Sequence, residues 1–488
     1  MLKLNSSEFL PLRLKAFAVS TALATALLGA CAVASPPPGT WDVRAAPQVE
    51  VTRDGDRWTA DYVFNRDAQV WAFMDSALMT DVRQPWRPTQ WTVETPGVVM
   101  ERRGHYDVIR ALDGGPVPRH VRFSLKPKSV YLEAEYGTLT FSDGAVALPT
   151  RQFDVFALAS VEAAEAMPAD LNGVDLEGGA STVVWRDTAG PVLFNGRRQA
   201  NLTTTGERSY VLLGQARVTP GEGLTTVIDP NLPPWIGEEI RSFAPHVGDY
   251  YLRRLGAPGV GSETSTVMVS WNGPTERLSS MGGSVLPGLI VMKFEGVGVL
   301  NPNKEVLERS RWFIGHESAH FWLGQAVRYQ FARDAWITEG GADLMAVRAL
   351  KALDPAYDDR AELQTEVDDC IELSRKPVAE AGDRGEHRAY YACGAVFAMA
   401  AEGAQKRRDG GDWFDFLRPV LAANREDGVL SRSEWLDALT RVSGDPSLSA
   451  TIERMLDQGA ADPAAEVASL FHKTGVPHRV ENGKVVLI

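Results

Sequence analysis

His316, Glu317 and His320 are the residues of this chain whose types and spacing point most directly to chemistry. They stand in the apolar run Trp312-Phe313-Ile314-Gly315-His316-Glu317-Ser318-Ala319-His320-Phe321-Trp322-Leu323-Gly324. On a helix, residues four apart lie one turn above each other on one face, so both imidazoles can converge on a single cation. Glu317 is turned by one residue and can reach a water held by that cation. Two histidines and a glutamate in this pattern read as a zinc hydrolase site with the glutamate as general base.

Zinc in such a site takes a third protein ligand and keeps one position open for water. The run Trp336-Ile337-Thr338-Glu339-Gly340-Gly341-Ala342-Asp343 offers that ligand in Glu339. Eighteen residues lie between His320 and Glu339, enough for a helix to finish, a loop to reverse and a second helix to begin. Asp343 follows Glu339 by four residues, so it shares a helix face and can accept a hydrogen bond from a ligand imidazole. Ordinary readings exist for each residue: satisfied core histidines, an acid favoured by a helix N-terminus, a solvated helix acid. The conjunction favours metal, because the chain has only eight histidines and two of them fall at this spacing around a glutamate.

The stretch His316-Glu317-Ser318-Ala319-His320-Phe321-Trp322-Leu323-Gly324, followed by Trp336-Ile337-Thr338-Glu339-Gly340, resembles the membrane alanyl aminopeptidase family of gluzincins. That family carries HExxHxWxGN and then WxNEGxA. Trp322 and Gly324 extend the match beyond the zinc pattern, while Gln325 replaces the family's Asn and Thr338 the residue before the ligand. The resemblance implies one zinc ion, a peptide substrate and an α+β architecture. In that architecture an N-terminal antiparallel β domain precedes a thermolysin-like catalytic domain and a C-terminal helical region. It also implies a tyrosine three residues before a Gly-Ala pair, whose hydroxyl stabilises the oxyanion; Tyr391 sits at that offset from Gly394-Ala395. Tyr390 is the neighbour to exclude, and a tyrosine packed on a helix is the ordinary alternative.

The family's GxMENxGLI segment finds its counterpart in Gly282-Gly283-Ser284-Val285-Leu286-Pro287-Gly288-Leu289-Ile290, which places Gly282, Gly283, Val285 and Gly288 in the substrate cleft. Val285 stands where the family's glutamate holds the substrate α-amino group, and valine cannot pair with an ammonium. The expectation is zinc chemistry without the usual N-terminal anchor, unless another acid such as Glu276 or Glu386 reaches the amine. The resemblance is firm over residues 282–396 and looser outside them.

The elements that must position these residues follow from pattern. A helix is expected from Pro302-Asn303 to about Tyr329, and another carrying Glu339 through Leu353. Residues 235–255 read as a helix, 265–271 as a strand, and 288–294 as a buried strand whose edge could bind an extended peptide. Residues 41–228 alternate as strands do, most clearly Val130-Tyr131-Leu132-Glu133-Ala134-Glu135-Tyr136, with turns at Asp113-Gly114-Gly115 and Ser142-Asp143-Gly144. Asp229-Pro230-Asn231-Leu232-Pro233-Pro234 marks a boundary. The division is a leader at residues 1–34, a β domain at 35–234, a catalytic domain at 235–400 and a helical region at 401–488. Helices are expected at 413–423, 433–442 and 448–458, and a terminal hairpin at 476–488.

Residues 1–30 read as an export signal, with Lys3, Arg13 and Lys15 ahead of an apolar stretch too short for a membrane span. Leu28-Gly29-Ala30-Cys31 resembles a bacterial lipoprotein box with Cys31 as the lipidated residue; cleavage after Ala32-Val33-Ala34 is the competing reading. The expected location is the bacterial cell envelope, as a periplasm-facing lipoprotein touching membrane only through Cys31. Ser35-Pro36-Pro37-Pro38-Gly39 would form a stiff tether. Cys370 and Cys393 remain as an even pair that could bridge in an oxidising compartment, or stay as two buried thiols. A net charge of −13 speaks against nucleic acid as a partner. Three functions stay open: a zinc peptidase, a zinc hydrolase of non-peptide substrates, and a non-catalytic peptide-binding lipoprotein.

Overall fold

The computed structural model describes residues 46–133, 135, 137–171, 174–220, 224–258, 265–276 and 280–488. The leader, Cys31 and the Pro-rich tether lie outside the described residues. Among the described residues no helix is long and apolar enough to cross a membrane.

The N-terminal half consists of β-sheets, as the alternating pattern leads one to expect. A six-stranded sheet runs in the order Leu202–Thr205, Thr182–Asp187, Gln48–Asp54, Arg57–Val63, His120–Leu125, Trp91–Val93. Its pairings are antiparallel except Gln48–Asp54 with Thr182–Asp187, which is parallel. Two five-stranded antiparallel sheets accompany it. Their shared core is aromatic: Phe73, Trp91, Phe123, Phe153 and Trp185 are buried together. The Asp113 and Ser142 turns form as expected, each with a glycine in the left-handed region at Gly114 (φ 76°) and Gly144 (φ 82°).

Val130–Tyr136 departs from expectation. Val130 and Tyr131 are in no strand, Leu132 makes only an isolated bridge to Met79, and positions 134 and 136 lie outside the described residues. The alternating side chains serve contacts other than a sheet. Lys293 Nζ donates to Val130 O at 2.8 Å and sits 3.7 Å above the Tyr131 ring, while Glu135 accepts from Ser76 N at 2.6 Å.

The sheet of the second half is mixed: Val218–Pro220, Leu224–Ile228, Ser265–Trp271, Leu289–Glu295, Ser280–Leu286. Two of its strands precede the Asp229-Pro230 boundary. The strand expected at 288–294 is present as Leu289–Glu295 and fully buried, but it pairs on both sides, with Ser265–Trp271 and with Ser280–Leu286. On that side of the sheet the outermost of the described strands is therefore Ser280–Leu286, the strand that carries Gly282, Gly283 and Val285. The tight turn at Pro287-Gly288, with Gly288 at φ 69°, folds this strand back over its neighbour and takes the outer place from it.

Asp229 ties the halves together. Its carboxylate accepts from Ser142 N at 2.8 Å, Asn231 N at 2.9 Å and Trp271 N at 3.3 Å, and from the Ser142 hydroxyl.

Helices then cover this sheet. Pro234–Leu255 braces the histidine helix, Lys304–Ala319, through Tyr251 OH on Gly315 O at 3.0 Å. The histidine helix starts where the sequence places it, because the Asn303 side chain caps Val306 N. It ends at His320 rather than near Tyr329. Residues 320–327 form tight turns with Gly324 at φ 135°, and the reversal brings the chain back to the glutamate helix, Trp336–Leu353. The expected helix at 413–423 and the terminal hairpin (His478–Glu481 with Lys484–Leu487) are both present. The tyrosine helix, Arg388–Asp409, runs unbroken through residue 400.

The glutamate and tyrosine helices meet at glycines. A Cβ on Gly340 would lie 2.1 Å from Ala395 N, and one on Gly394 would lie 2.2 Å from Trp336 O. Only glycine allows the backbones to approach this closely.

Candidate metal centre

The histidine helix presents His316 on its last turn and His320 at its C-terminal cap, while Glu339 comes from the first turn of the glutamate helix. Their ligating atoms lie within 4.8 Å of one another. The two Nε2 atoms are 3.0 Å apart, and each is 3.5 Å from Glu339 Oε2. All three residues are at most 5 % exposed.

The hydrogen bonds behind the rings decide what these atoms can bind. His316 Nδ1 is 2.7 Å from Asp343 Oδ1, and His320 Nδ1 is 2.8 Å from Leu323 O. A carbonyl only accepts, as does an ionised carboxylate, so both Nδ1 atoms are assigned the proton and both Nε2 atoms become acceptors. Two lone pairs then face each other at 3.0 Å with a carboxylate oxygen beside them. Among the described residues, Glu339 Oε2 and Glu317 Oε2 likewise accept no hydrogen bond although buried. A buried set of acceptors without donors is unfavourable unless a cation sits among them. The residues fit zinc: two neutral imidazoles and one carboxylate, with each imidazole held from behind.

The electrostatics show a place that calls for positive charge, which a proton on His316 supplies when no ion is bound. Burial works against a charged His316, yet Asp343 and Glu339 outweigh it and raise the group to about 10; these carboxylates favour positive charge among the imidazoles. Burial also opposes charge on Glu339, but the two histidines hold its carboxyl well below the usual range. Glu317 is different: burial pushes it up to about 7, with the two histidines working in the other direction. A carboxyl poised near neutrality can take a proton and return it.

Tyr391 stacks on His316, with centroids 5.7 Å apart and planes at 24°. Burial pushes its phenol well above the ordinary value, and Glu339 adds to the shift, so the hydroxyl remains a donor at neutral pH. Tyr390 is occupied elsewhere: its hydroxyl accepts from Gly382 N at 3.0 Å and donates to Ala379 O at 3.2 Å. The distinction between adjacent tyrosines is thus geometric.

Gly283 lies against the histidine helix, where a Cβ would meet Phe313 Cζ at 2.6 Å and Val291 O at 2.5 Å. Gly282 faces the other side of the sheet toward Tyr131. Val285 is 1 % exposed within the core shared with the histidine helix, so its position offers a substrate neither charge nor access. Glu386 pairs with Lys376 at 2.6 Å and Arg384 at 2.7 Å, and Glu276 is exposed. Cys370 and Cys393 are bridged, joining the helix Asp359–Leu373 to the tyrosine helix two residues beyond Tyr391. Sequence reasoning missed Arg388, which lies 3.9 Å from Asp343. Its only sequence signal is its place three residues before Tyr391, on the same helix face.

No family model and no curated protein matches the sequence. Among solved structures, the chain is similar to native yeast LTA4 hydrolase, with a TM-score of 0.50 and 12% sequence identity, over 85% of this chain and 68% of that one. At that identity the likeness concerns the fold: β-sheets toward the N-terminus and a helical region toward the C-terminus, arranged as in yeast LTA4 hydrolase.

Proposed function

We propose that this protein is an exported zinc metallopeptidase of the gluzincin type, lipid-anchored through Cys31 and acting on peptides in the bacterial cell envelope. The observation that carries the reading is the facing pair of imidazole Nε2 atoms, each fixed from behind and each beside Glu339. The fold shared with yeast LTA4 hydrolase supports a hydrolase.

His316, His320 and Glu339 would hold one zinc ion, with Asp343 orienting His316. Zinc bound there supplies Lewis acidity, polarising a carbonyl and lowering the pKa of water. Glu317 takes the proton of the attacking water and passes it to the leaving nitrogen. Tyr391 donates its phenolic hydrogen to the carbonyl oxygen as negative charge develops. A peptide substrate would be held along the cleft wall that carries Gly282, Gly283 and Gly288. Because Val285 gives no carboxylate for a substrate ammonium, single-residue N-terminal cutting is not part of the proposal.

That same buried valine favours a second reading, hydrolysis of a non-peptide substrate on this scaffold. One experiment separates them. Leaderless protein of measured zinc content is given a diverse peptide mixture, and products are read by mass spectrometry beside Glu317→Gln and chelator controls. Internal cuts, or equal cutting of N-blocked and free peptides, support a peptidase without an amine anchor. Removal of single residues from free N-termini alone would place an anchor elsewhere in the cleft. No cleavage by zinc-loaded protein would refute the peptidase reading and leave the second.

A further inference from the structure

Behind His316 lies a group of acids of which the proposed chemistry uses Asp343 alone. Asp343 and Glu366 are almost fully buried, at 1 % and 2 % exposure, and Asp369 and Glu362 border them. The Arg388 guanidinium stands among them. Its Nη2 is 2.7 Å from Glu366 Oε1, its Nε 2.8 Å from Asp369 Oδ2 and its Nη1 3.9 Å from Asp343 Oδ2. Among the described residues, it is the one arginine or lysine with a nitrogen within 4 Å of the Asp343 carboxylate. Among the described residues, Asp343 Oδ2 and Glu366 Oε2 accept no hydrogen bond. Burial pushes Glu366 up to about 8, so the charge the guanidinium offsets is chiefly that of Asp343 and Asp369.

We propose that Arg388 is a positioning residue for the zinc site, acting through Asp343 on His316. This rests on the metal-site reading above. Asp343 is buried, and the guanidinium near its outer oxygen offsets its charge where its other oxygen faces His316. Without that charge water is admitted to Asp343, and His316 loses the fixed acceptor for its Nδ1–H. The guanidinium is itself held firmly, because its two hydrogen-bonded partners sit on the helix Asp359–Leu373 and the Cys370–Cys393 bridge joins that helix to its own. Arg388 touches neither substrate nor ion; it sets how tightly the ion is held.

Arg348 provides a structural comparison. It is on the glutamate helix and similarly exposed, 26 % against 32 % for the side chains, but it pairs with Glu402 at 2.8 Å and Asp359 at 3.1 Å. Zinc affinity of the full chain is measured by competition with a chromogenic chelator, for wild type, Arg388→Met, Arg388→Lys and Arg348→Met. Loss of a group that orients a ligand histidine lowers metal affinity about 10–100-fold, and that loss is expected for Arg388→Met. Arg388→Lys restores the charge without the fork and should recover to within about tenfold of wild type. Arg348→Met should bind zinc as wild type does, whatever its melting temperature.

Wild-type affinity in Arg388→Met, or an equal loss in Arg348→Met, overturns the proposal. If Arg388→Met does not fold, the equally neutral but polar Arg388→Gln decides: zinc binding weakened about 10–100-fold supports the role and wild-type binding refutes it. A wild-type protein that binds no zinc removes the metal-site reading and this inference together, an outcome distinct from an unchanged variant.

Discussion

Gly340→Ala tests whether the approach of the glutamate and tyrosine helices sets the geometry of the site. The added methyl would lie 2.1 Å from Ala395 N and from Gly394 C, and 2.3 Å from Gly394 Cα. All three are backbone atoms, so no side chain can swing aside. Ordinary contact begins near 3.4 Å, which requires the helices to part by more than ~1 Å. Overpacking of this kind costs about 3 kcal/mol, at the upper end of its usual range. Glu339 immediately precedes Gly340 and Tyr391 is three residues before Gly394, so the same movement separates the proposed metal ligand from the proposed oxyanion donor. A displacement of that size costs about 100-fold in turnover. Gly248 supplies the control, because it is helical and a Cβ added there would meet nothing within 4 Å. Gly248→Ala should be neutral or stabilising by up to about 1 kcal/mol. Thermal melts and kcat/KM are measured for both variants. A Gly340→Ala protein that melts and turns over like Gly248→Ala would refute the reasoning.

Further outcomes follow from the site. Glu317→Gln should keep its zinc while turnover falls about 10²–10⁴-fold, and Glu339→Ala should lose zinc, as read by metal analysis after dialysis. Tyr391→Phe should lower kcat about 100-fold with little change in KM, whereas Tyr390→Phe should lower the melting temperature and leave kcat near wild type. In the β half, burial pushes Asp154 up to about 7 from 3.8, against the Ser181 amide that donates to it. Its folded-state pKa is thus raised, so folding takes up a proton between those values, and the contribution is present at low pH and lost as pH rises through about 7. Wild type should therefore gain stability relative to Asp154→Asn as pH falls from 8 to 5 in calorimetry; a pH-independent difference would contradict this.

Much of the site is legible in the sequence because its signals are local. His316 and His320 share a face by helical spacing, and Glu339 and Asp343 do so again one loop later. Strand 265–271 and helix 413–423 lie where pattern and breakers put them. What was not legible depends on partners far away in the chain. Nothing in Phe321–Tyr329 forbids a helix; it ends because His320 turns its ring to Leu323 O and the chain must reverse toward Glu339. Val130–Tyr136 alternates like a strand, but Lys293 and Ser76 draw its groups into other contacts. The outer place falls to Ser280–Leu286 because strand order is a property of three strands, not one. Arg388 looked like any helix cation until Glu366, Asp369 and Asp343 surrounded it.

The Asp229 carboxylate has a consequence for how such a protein can change over evolutionary time. It is bonded at once to a β-half turn at Ser142, to the connecting segment at Asn231 and to the sheet strand at Trp271. Strands from before the connection complete the sheet beyond it, and Lys293 reaches back to Val130. A recombination event that exchanged the β half at this connection would leave a carboxylate, a lysine and a sheet edge without partners. An exchange at this connection would keep these contacts only if Ser142, Val130 and the two preceding strands were matched in the incoming half.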